Sequence, residues 1–382
     1  MPAHAGILRR GDVKLRMAAA LKINDFSGLD DVACDARIEA AKRVLGKRLV
    51  ILGHHYQRSE VYKHASLKGD SLRLAREAAT LEAEHIVFCG VHFMAEVADI
   101  VTHGARNVIL PDLAAGCQMA DMANLVKVRK CWEEISTVLD PDQKVTPVTY
   151  INSAANLKAF CGAHGGIVCT STNAPGVLKW SFGQREKVLF FPDQHLGRWT
   201  GYKMGIPLEQ MVVWDFTRPM GGLTAQQIAD AKVILWKGHC AVHQMFQPSH
   251  VDNFKKQHPD GIVVSHPENA LEVCLRSDYV GSTEFILNTV RDKSKEGQHW
   301  LVGTELNLVN RLAEELKPKG VTVQFMSPMV CMCSTMFRID AQHLAWSLDN
   351  LVAGTVVNRI RVPAEVANPA RAALERMLAI TH

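Results

Sequence analysis

Short unbroken apolar runs constrain this chain most. Leu49-Val50-Ile51-Leu52, Ile86-Val87-Phe88, Val108-Ile109-Leu110, Val188-Leu189-Phe190-Phe191, Val233-Ile234-Leu235-Trp236 and Ile262-Val263-Val264 are separated by longer helical patterns. A strand with one wet face alternates apolar and polar residues. A run without alternation suits a strand buried on both faces, as in a parallel sheet covered by helices. The expected class is α/β.

A second pattern recurs. Three times a strand runs into a polar turn bearing His or Tyr: Leu52-Gly53-His54-His55-Tyr56-Gln57, Val148-Thr149-Tyr150-Ile151-Asn152-Ser153 and Val264-Ser265-His266-Pro267-Glu268. A hydroxyl residue near a helix start follows each, 17 residues from His54 to Ser71, 21 from Tyr150 to Ser171 and 17 from His266 to Thr283. Each unit then closes at a cysteine beyond a later strand: Cys117, Cys240 and Cys333. This is the pattern of an internal triplication, each unit supplying one turn, one hydroxyl and one thiol. Strand-to-helix turns favour Ser, Thr, Asn and Gly in any α/β chain, so spacing alone also admits coincidence. Ligands of open α/β sheets sit at the carboxyl ends of strands. Three units around one axis would therefore point their turns into one cleft.

Charge and cysteine content narrow the function. The 382 residues carry 43 Lys plus Arg against 39 Asp plus Glu, a formal +4 too mild for a nucleic-acid or membrane surface. No stretch of about 18 uncharged apolar residues occurs, so no membrane-spanning helix is expected. Arg9-Arg10 runs into Gly11-Asp12-Val13-Lys14 rather than an apolar segment, which argues against an export signal and for the cytoplasm. In that reducing compartment the 10 cysteines are expected as thiols or metal ligands. The absence of a C-x2-C pair disfavours a zinc ribbon. Three thiolates from separate loops form an incomplete ligand set, which suits an iron–sulfur cluster with one open iron better than a closed zinc site. Cys34, Cys89, Cys131, Cys161, Cys169 and Cys274 are expected as buried small hydrophobes. Cys331, two residues from Cys333, stays open as an alternative.

His54 and His266 occupy matching strand ends, and His266-Pro267-Glu268 places an imidazole and a carboxylate within one turn, a candidate acid–base pair. His243 is three residues from Cys240 and is expected beside a metal rather than on it. Ser71, Ser171 and Thr283 are plain N-caps when taken singly. Three helix N-termini converging on one cleft would instead bind carboxylates or a phosphate. Neither G-x-G-x-x-G nor G-x4-G-K-[ST] is present, so nucleotide binding of those kinds has no support.

Taken together, these segments closely resemble the quinolinate synthase A family, iron–sulfur enzymes of de novo NAD biosynthesis. The resemblance runs from about residue 48 to 350. It rests on Gly53-His54-His55-Tyr56-Gln57, Gly69-Asp70-Ser71, Gly116-Cys117-Gln118-Met119-Ala120-Asp121, Tyr150-Ile151-Asn152-Ser153, Cys240-Ala241-Val242-His243, Ser265-His266-Pro267-Glu268, Gly281-Ser282-Thr283 and Cys333-Ser334-Thr335-Met336. It implies three similar three-layer αβα domains with parallel sheets around a pseudo-threefold axis. Their expected limits are 30–122, 123–240 and 241–337, with the C-terminal helices of 338–382 packing on the first.

The resemblance also implies a [4Fe-4S] cluster held by Cys117, Cys240 and Cys333, with its fourth iron open. It implies condensation of iminoaspartate with dihydroxyacetone phosphate to quinolinate, phosphate and two waters, with L-aspartate oxidase as pathway partner. By motif, His54 and Tyr56 match an acid–base and triose-handling pair, and Tyr150 and Asn152 a substrate-binding pair. His266 and Glu268 match a proton-transfer pair that also binds substrate. Ser71, Ser171 and Thr283 match hydroxyls that hold the dicarboxylate. Some relatives carry C-x2-C-x2-C near the third ligand, where this chain has Cys331-Met332-Cys333-Ser334-Thr335-Met336. The competing readings are an aconitase-type hydro-lyase acting on another small acid and an iron–sulfur sensor. A sensor more often shows a docking module, and no helix-turn-helix or basic block stands out.

Overall fold

The computed structural model of the chain describes residues 20–330 and 332–380. Three parallel sheets organise it. The first contains β1 (Leu49–His54), β2 (Leu67–Gly69), β3 (His85–Cys89) and β4 (Asn107–Ile109), in the order β2-β1-β3-β4. The second contains β5 (Val145–Tyr150), β6 (Ile167–Cys169), β7 (Lys187–Phe191), β8 (Met211–Trp214) and β9 (Val233–Trp236), in the order β6-β5-β7-β9-β8. The third contains β10 (Ile262–Ser265), β11 (Tyr279–Val280), β12 (His299–Gly303) and β13 (Thr322–Phe325), in the order β11-β10-β12-β13. All paired strands within the sheets run parallel.

Every residue of β3, β7 and β9 is buried, the outcome expected of runs without polar alternation, and β5 is wholly buried too although it carries Thr146 and Thr149. Each sheet repeats one winding: the unit's first strand lies between its second and third, and the strand that leads to the cysteine follows the third. The second sheet departs only by adding β8 at its edge, beyond β9.

The helix Leu306–Leu316 shows how local sequence fixes an element that matters below. Glu305 caps it, accepting from the Asn307 N–H at 2.7 Å. Leu308, Val309, Leu312 and Leu316 form one buried face, and the helix packs against β13. Pro318 and Gly320, the latter at φ 71°, stop it. Each buried side chain contributes about 1.5–3 kcal/mol, so Leu312→Ala would cost about 2–5 kcal/mol once the cavity is counted.

The first two units share a continuous apolar core with the C-terminal helices, whereas the third unit builds separate clusters. Of the two C-terminal helices, Ala341–Val352 lies along Asp31–Leu45. Ala364–Ala379 packs chiefly on Ala155–Ala163 and β6 of the second unit and also touches His92–Val101 of the first. The reason is a close approach at Gly162, where an added Cβ would stand 1.8 Å from the Pro369 carbonyl oxygen. Among the described residues, no helix is long and apolar enough to cross a membrane.

Candidate active site

The carboxyl ends of the three sheets open on one cavity. Every candidate named from the sequence lines it: His54, Tyr56, Ser71, Cys117, Tyr150, Asn152, Ser171, Cys240, His266, Glu268, Thr283 and Cys333. Cys331 lies outside the described residues.

The first and third turns are built alike. The Tyr56 N–H donates to His54 Nδ1 at 3.1 Å, and the Glu268 N–H donates to His266 Nδ1 at 3.3 Å. Each bond makes Nδ1 an acceptor, so each neutral ring carries its proton on Nε2. Burial lowers His266 to about 3, against the opposing pull of Glu268, and it holds His54 well below the ordinary histidine value. Both rings are therefore neutral donors at neutral pH. They can stabilise or protonate a developing oxyanion, and neither is a base in this state.

Glu268 takes the opposite role. Burial works against its charge, but His243 and a hydrogen bond from Tyr150 lower the carboxyl below its ordinary value. Tyr150 donates to Glu268 Oε1 at 2.6 Å. His243 Nδ1 lies 3.1 Å from Oε2, close enough for an ion pair yet off the line of a hydrogen bond. Asp193 is buried nearby. Desolvation and repulsion from Glu268 raise it well above the carboxylate range.

The Tyr56 hydroxyl sits between Thr304 Oγ1 at 2.6 Å and Thr283 Oγ1, which donates to it at 3.0 Å. Burial, then Glu268, push this phenol well above its usual value, so it remains a proton donor. Asn152 keeps a buried Oδ1 without a partner, an atom free for a ligand.

The hydroxyl residues are not the caps. Asp70 accepts from the Arg73 N–H and Ser282 from the Phe285 N–H. Ser71 and Thr283 are the first helical residues after these caps, and Ser171 precedes the Ala174–Gln184 helix. Neighbours cap the first and third of these helices, the second has no side-chain cap, and all three hydroxyl residues line the cavity beside helix N-termini.

The thiols divide as the sequence suggests. Cys34, Cys89, Cys131, Cys161, Cys169 and Cys274 are buried, while Cys117, Cys240 and Cys333 are partly exposed on the cavity wall. One comes from each unit. Desolvation pushes Cys117 up to about 12, Cys240 well above its usual value and Cys333 upward. A metal would have to displace these protons. The set suits a group bound by three thiolates that leaves one position open, and nothing in it closes a four-ligand zinc site. Cys240, His243 and Glu268 also place one ligand atom each within 4.8 Å of one another.

Sequence reasoning missed Thr304 and Glu305. Thr304 touches Tyr56 and, at 3.4 Å, His243 Nε2. Glu305 lines the cavity, accepts from the Cys333 N–H at 3.4 Å and is raised by burial to about 7. Both follow β12. The strand-end rule, applied to the third strand of each unit as well as the first, would have found them.

Three parallel-sheet units bring proton donors, a carboxylate and three thiols to one cavity, a polar site of the kind α/β enzymes build at strand ends. Comparisons with known proteins give the family. A sequence model described as "Quinolinate synthetase A protein" matches residues 36–379, and the chain belongs to this family. It is 50% identical over 361 residues to a quinolinate synthase of Herpetosiphon aurantiacus, covering 94% of this chain and 96% of the relative. It is 52% identical over 370 residues to that of Rhodopirellula baltica, covering 94% and 93%. The quinolinate synthase of Streptomyces coelicolor is 52% identical over 358 residues, covering 93% and 90%.

Proposed function

We propose that the chain condenses iminoaspartate with dihydroxyacetone phosphate to quinolinate, phosphate and two waters. We further propose that Cys117, Cys240 and Cys333 hold a [4Fe-4S] cluster, each from one of the units 30–122, 123–240 and 241–337. The observation that carries the reading is the convergence of one thiol per unit on the cavity that also holds the three turns. The atoms of this reaction balance without electrons left over, so no oxidant or reductant is needed. When bound, a cluster with an open iron supplies a Lewis acid.

The chain's own residues do the rest. Ser71, Ser171, Thr283 and the Asn152 amide bind the carboxylates and the phosphate. His54 and His266, neutral with Nε2–H, and the Tyr56 phenol donate to oxygens that gain charge or leave. Glu268, ionised and in contact with Tyr150, accepts protons from the carbons and nitrogen that lose them. Iminoaspartate is unstable in water, which supports a supply from an L-aspartate oxidase in the same cytoplasmic compartment. Anaerobic incubation of the reconstituted enzyme with both substrates should release quinolinate and phosphate one for one. Dehydration of another small acid without phosphate release would replace this reading with the hydro-lyase.

A further inference from the structure

Two of the three cavity turns have their carbonyls held from within their own units. Ser153 Oγ donates to the Tyr150 carbonyl at 2.8 Å, and Lys158 donates to that of Ser153. Asn269 Nδ2 donates to the His266 carbonyl at 2.7 Å and to that of Gly303 at 2.9 Å. The first turn differs. Arg311 donates to the Gln57 carbonyl at 2.6 Å and to that of His55, and Asn307 Nδ2 donates to that of Tyr56 at 3.3 Å. Three successive carbonyls are thus held by one helix of the third unit, Leu306–Leu316.

The contact is mostly polar, though Tyr56 also packs against an apolar cluster of the third unit. The buried His55 ring, between the two cavity residues, bonds Glu284 of the third unit at 2.8 Å and Tyr62 of its own unit at 2.8 Å. Arg311 lies over the Tyr62 ring, 4.1 Å from its centroid. The third unit keeps apolar clusters apart from the shared core of the other two. Polar interfaces between separately cored units come apart more readily than cores do.

We propose that Arg311, assisted by Asn307, is a positioning residue. It docks the third unit on the first unit's turn and so places His54 and Tyr56 against His266 and Glu268. Completion of the site and docking of the two units are then one event. A planar guanidinium reaches two carbonyls two residues apart, and a lysine ammonium, a single point, does not reproduce that fork. The role in turnover rests on the reaction proposed above, whereas the effect on the turn does not.

The test compares R311K and N307A with the full-length wild type. The first readout is amide hydrogen exchange, which needs no substrate. The Tyr56 and Gln57 amides should exchange at least about tenfold faster in R311K while those of β5 and β10 hold their rates. N307A, which keeps the fork, should show a smaller rise at the same amides, and it covers the case in which R311K fails to fold. The second readout is anaerobic kinetics. R311K should lower kcat about 10²-fold, with KM within about threefold and iron content unchanged. In a Tyr56→Phe background the same substitution should cost less than in the wild type, because part of its effect passes through that phenol. Unchanged exchange at the turn in both variants would overturn the proposal, and so would additive losses in the double variant. A wild type that fails to form quinolinate while the turn still loosens in R311K would sink the reaction and uphold the docking.

Discussion

Replacing Glu268 by Gln removes one charge and one basic site and keeps the shape of the side chain. The carboxylate is buried, takes the Tyr150 hydroxyl at 2.6 Å and has imidazole nitrogens at 3.1 and 3.7 Å. The Tyr150 bond changes from charge-assisted, worth about 1.5–3 kcal/mol, to neutral, worth about 1 kcal/mol. A loss of about 1–2 kcal/mol leaves a chain of this size folded. The rate suffers more. A positioned acid–base group contributes about 10²–10⁴-fold, so turnover should fall at least about 10²-fold, equivalent to about 2.7 kcal/mol of barrier. The assay is anaerobic quinolinate formation, with iron, sulfide and the visible absorption spectrum measured on the same sample. Iron and spectrum should match the wild type. Near-normal turnover would refute the base assignment and move it to another group of the cavity. A different refutation comes from the proximity of Cys240, His243 and Glu268. If Glu268→Gln and His243→Gln lost their iron while Cys117→Ala kept it, a single metal on those three residues would replace the three-thiol cluster.

Cys117→Ala, Cys240→Ala and Cys333→Ala should each lose iron, sulfide and activity, whereas Cys331→Ala should keep them; air should inactivate the wild type through its exposed iron, read as bleaching of the spectrum. Gly162→Ala should lower stability by about 1–3 kcal/mol in denaturant melts, because its Cβ would stand 1.8 Å from the Pro369 oxygen; an unchanged midpoint would show that the C-terminal helix yields freely. The hydrogen bond to Asp340 at 2.8 Å raises His343 above its ordinary value, against burial. Its contribution is fully present below the unfolded value of about 6.5 and is lost as pH rises through the folded one. The thermal deficit of His343→Gln should therefore be larger at pH 6 than at pH 9, and a deficit that grew with pH would reverse the assignment.

Much of the fold was legible because burial on both faces leaves a direct mark on sequence. Runs such as Val188-Leu189-Phe190-Phe191 cannot face water on alternate sides, and they form wholly buried parallel strands. The repeated turns were legible for a related reason: strand ends point at ligands, so chemistry-bearing residues accumulate there. The packing of Ala364–Ala379 was not legible, since an amphipathic helix states which face it buries and not which neighbour covers it. Glu305 and Thr304 stayed hidden because a capping acid and a lone threonine look ordinary in a chain full of helix starts.

The sequence by itself determined the α/β class, the three strand-end turns, the separation of cavity thiols from core thiols and the resemblance to a family. Those properties follow from residue type and spacing along the chain. The protonation states belong to the tertiary structure alone. In sequence His266 and Glu268 read only as an acid–base pair, but the folded turn aims the Glu268 N–H at His266 Nδ1, and burial keeps the ring neutral. Glu268 is lowered first by His243 and also by Tyr150, which reaches it from 118 positions earlier in the chain, and Tyr56 is set by threonines and an arginine from the third unit. Desolvation and hydrogen bonding between distant residues depend on which surfaces meet, and no local pattern encodes that meeting.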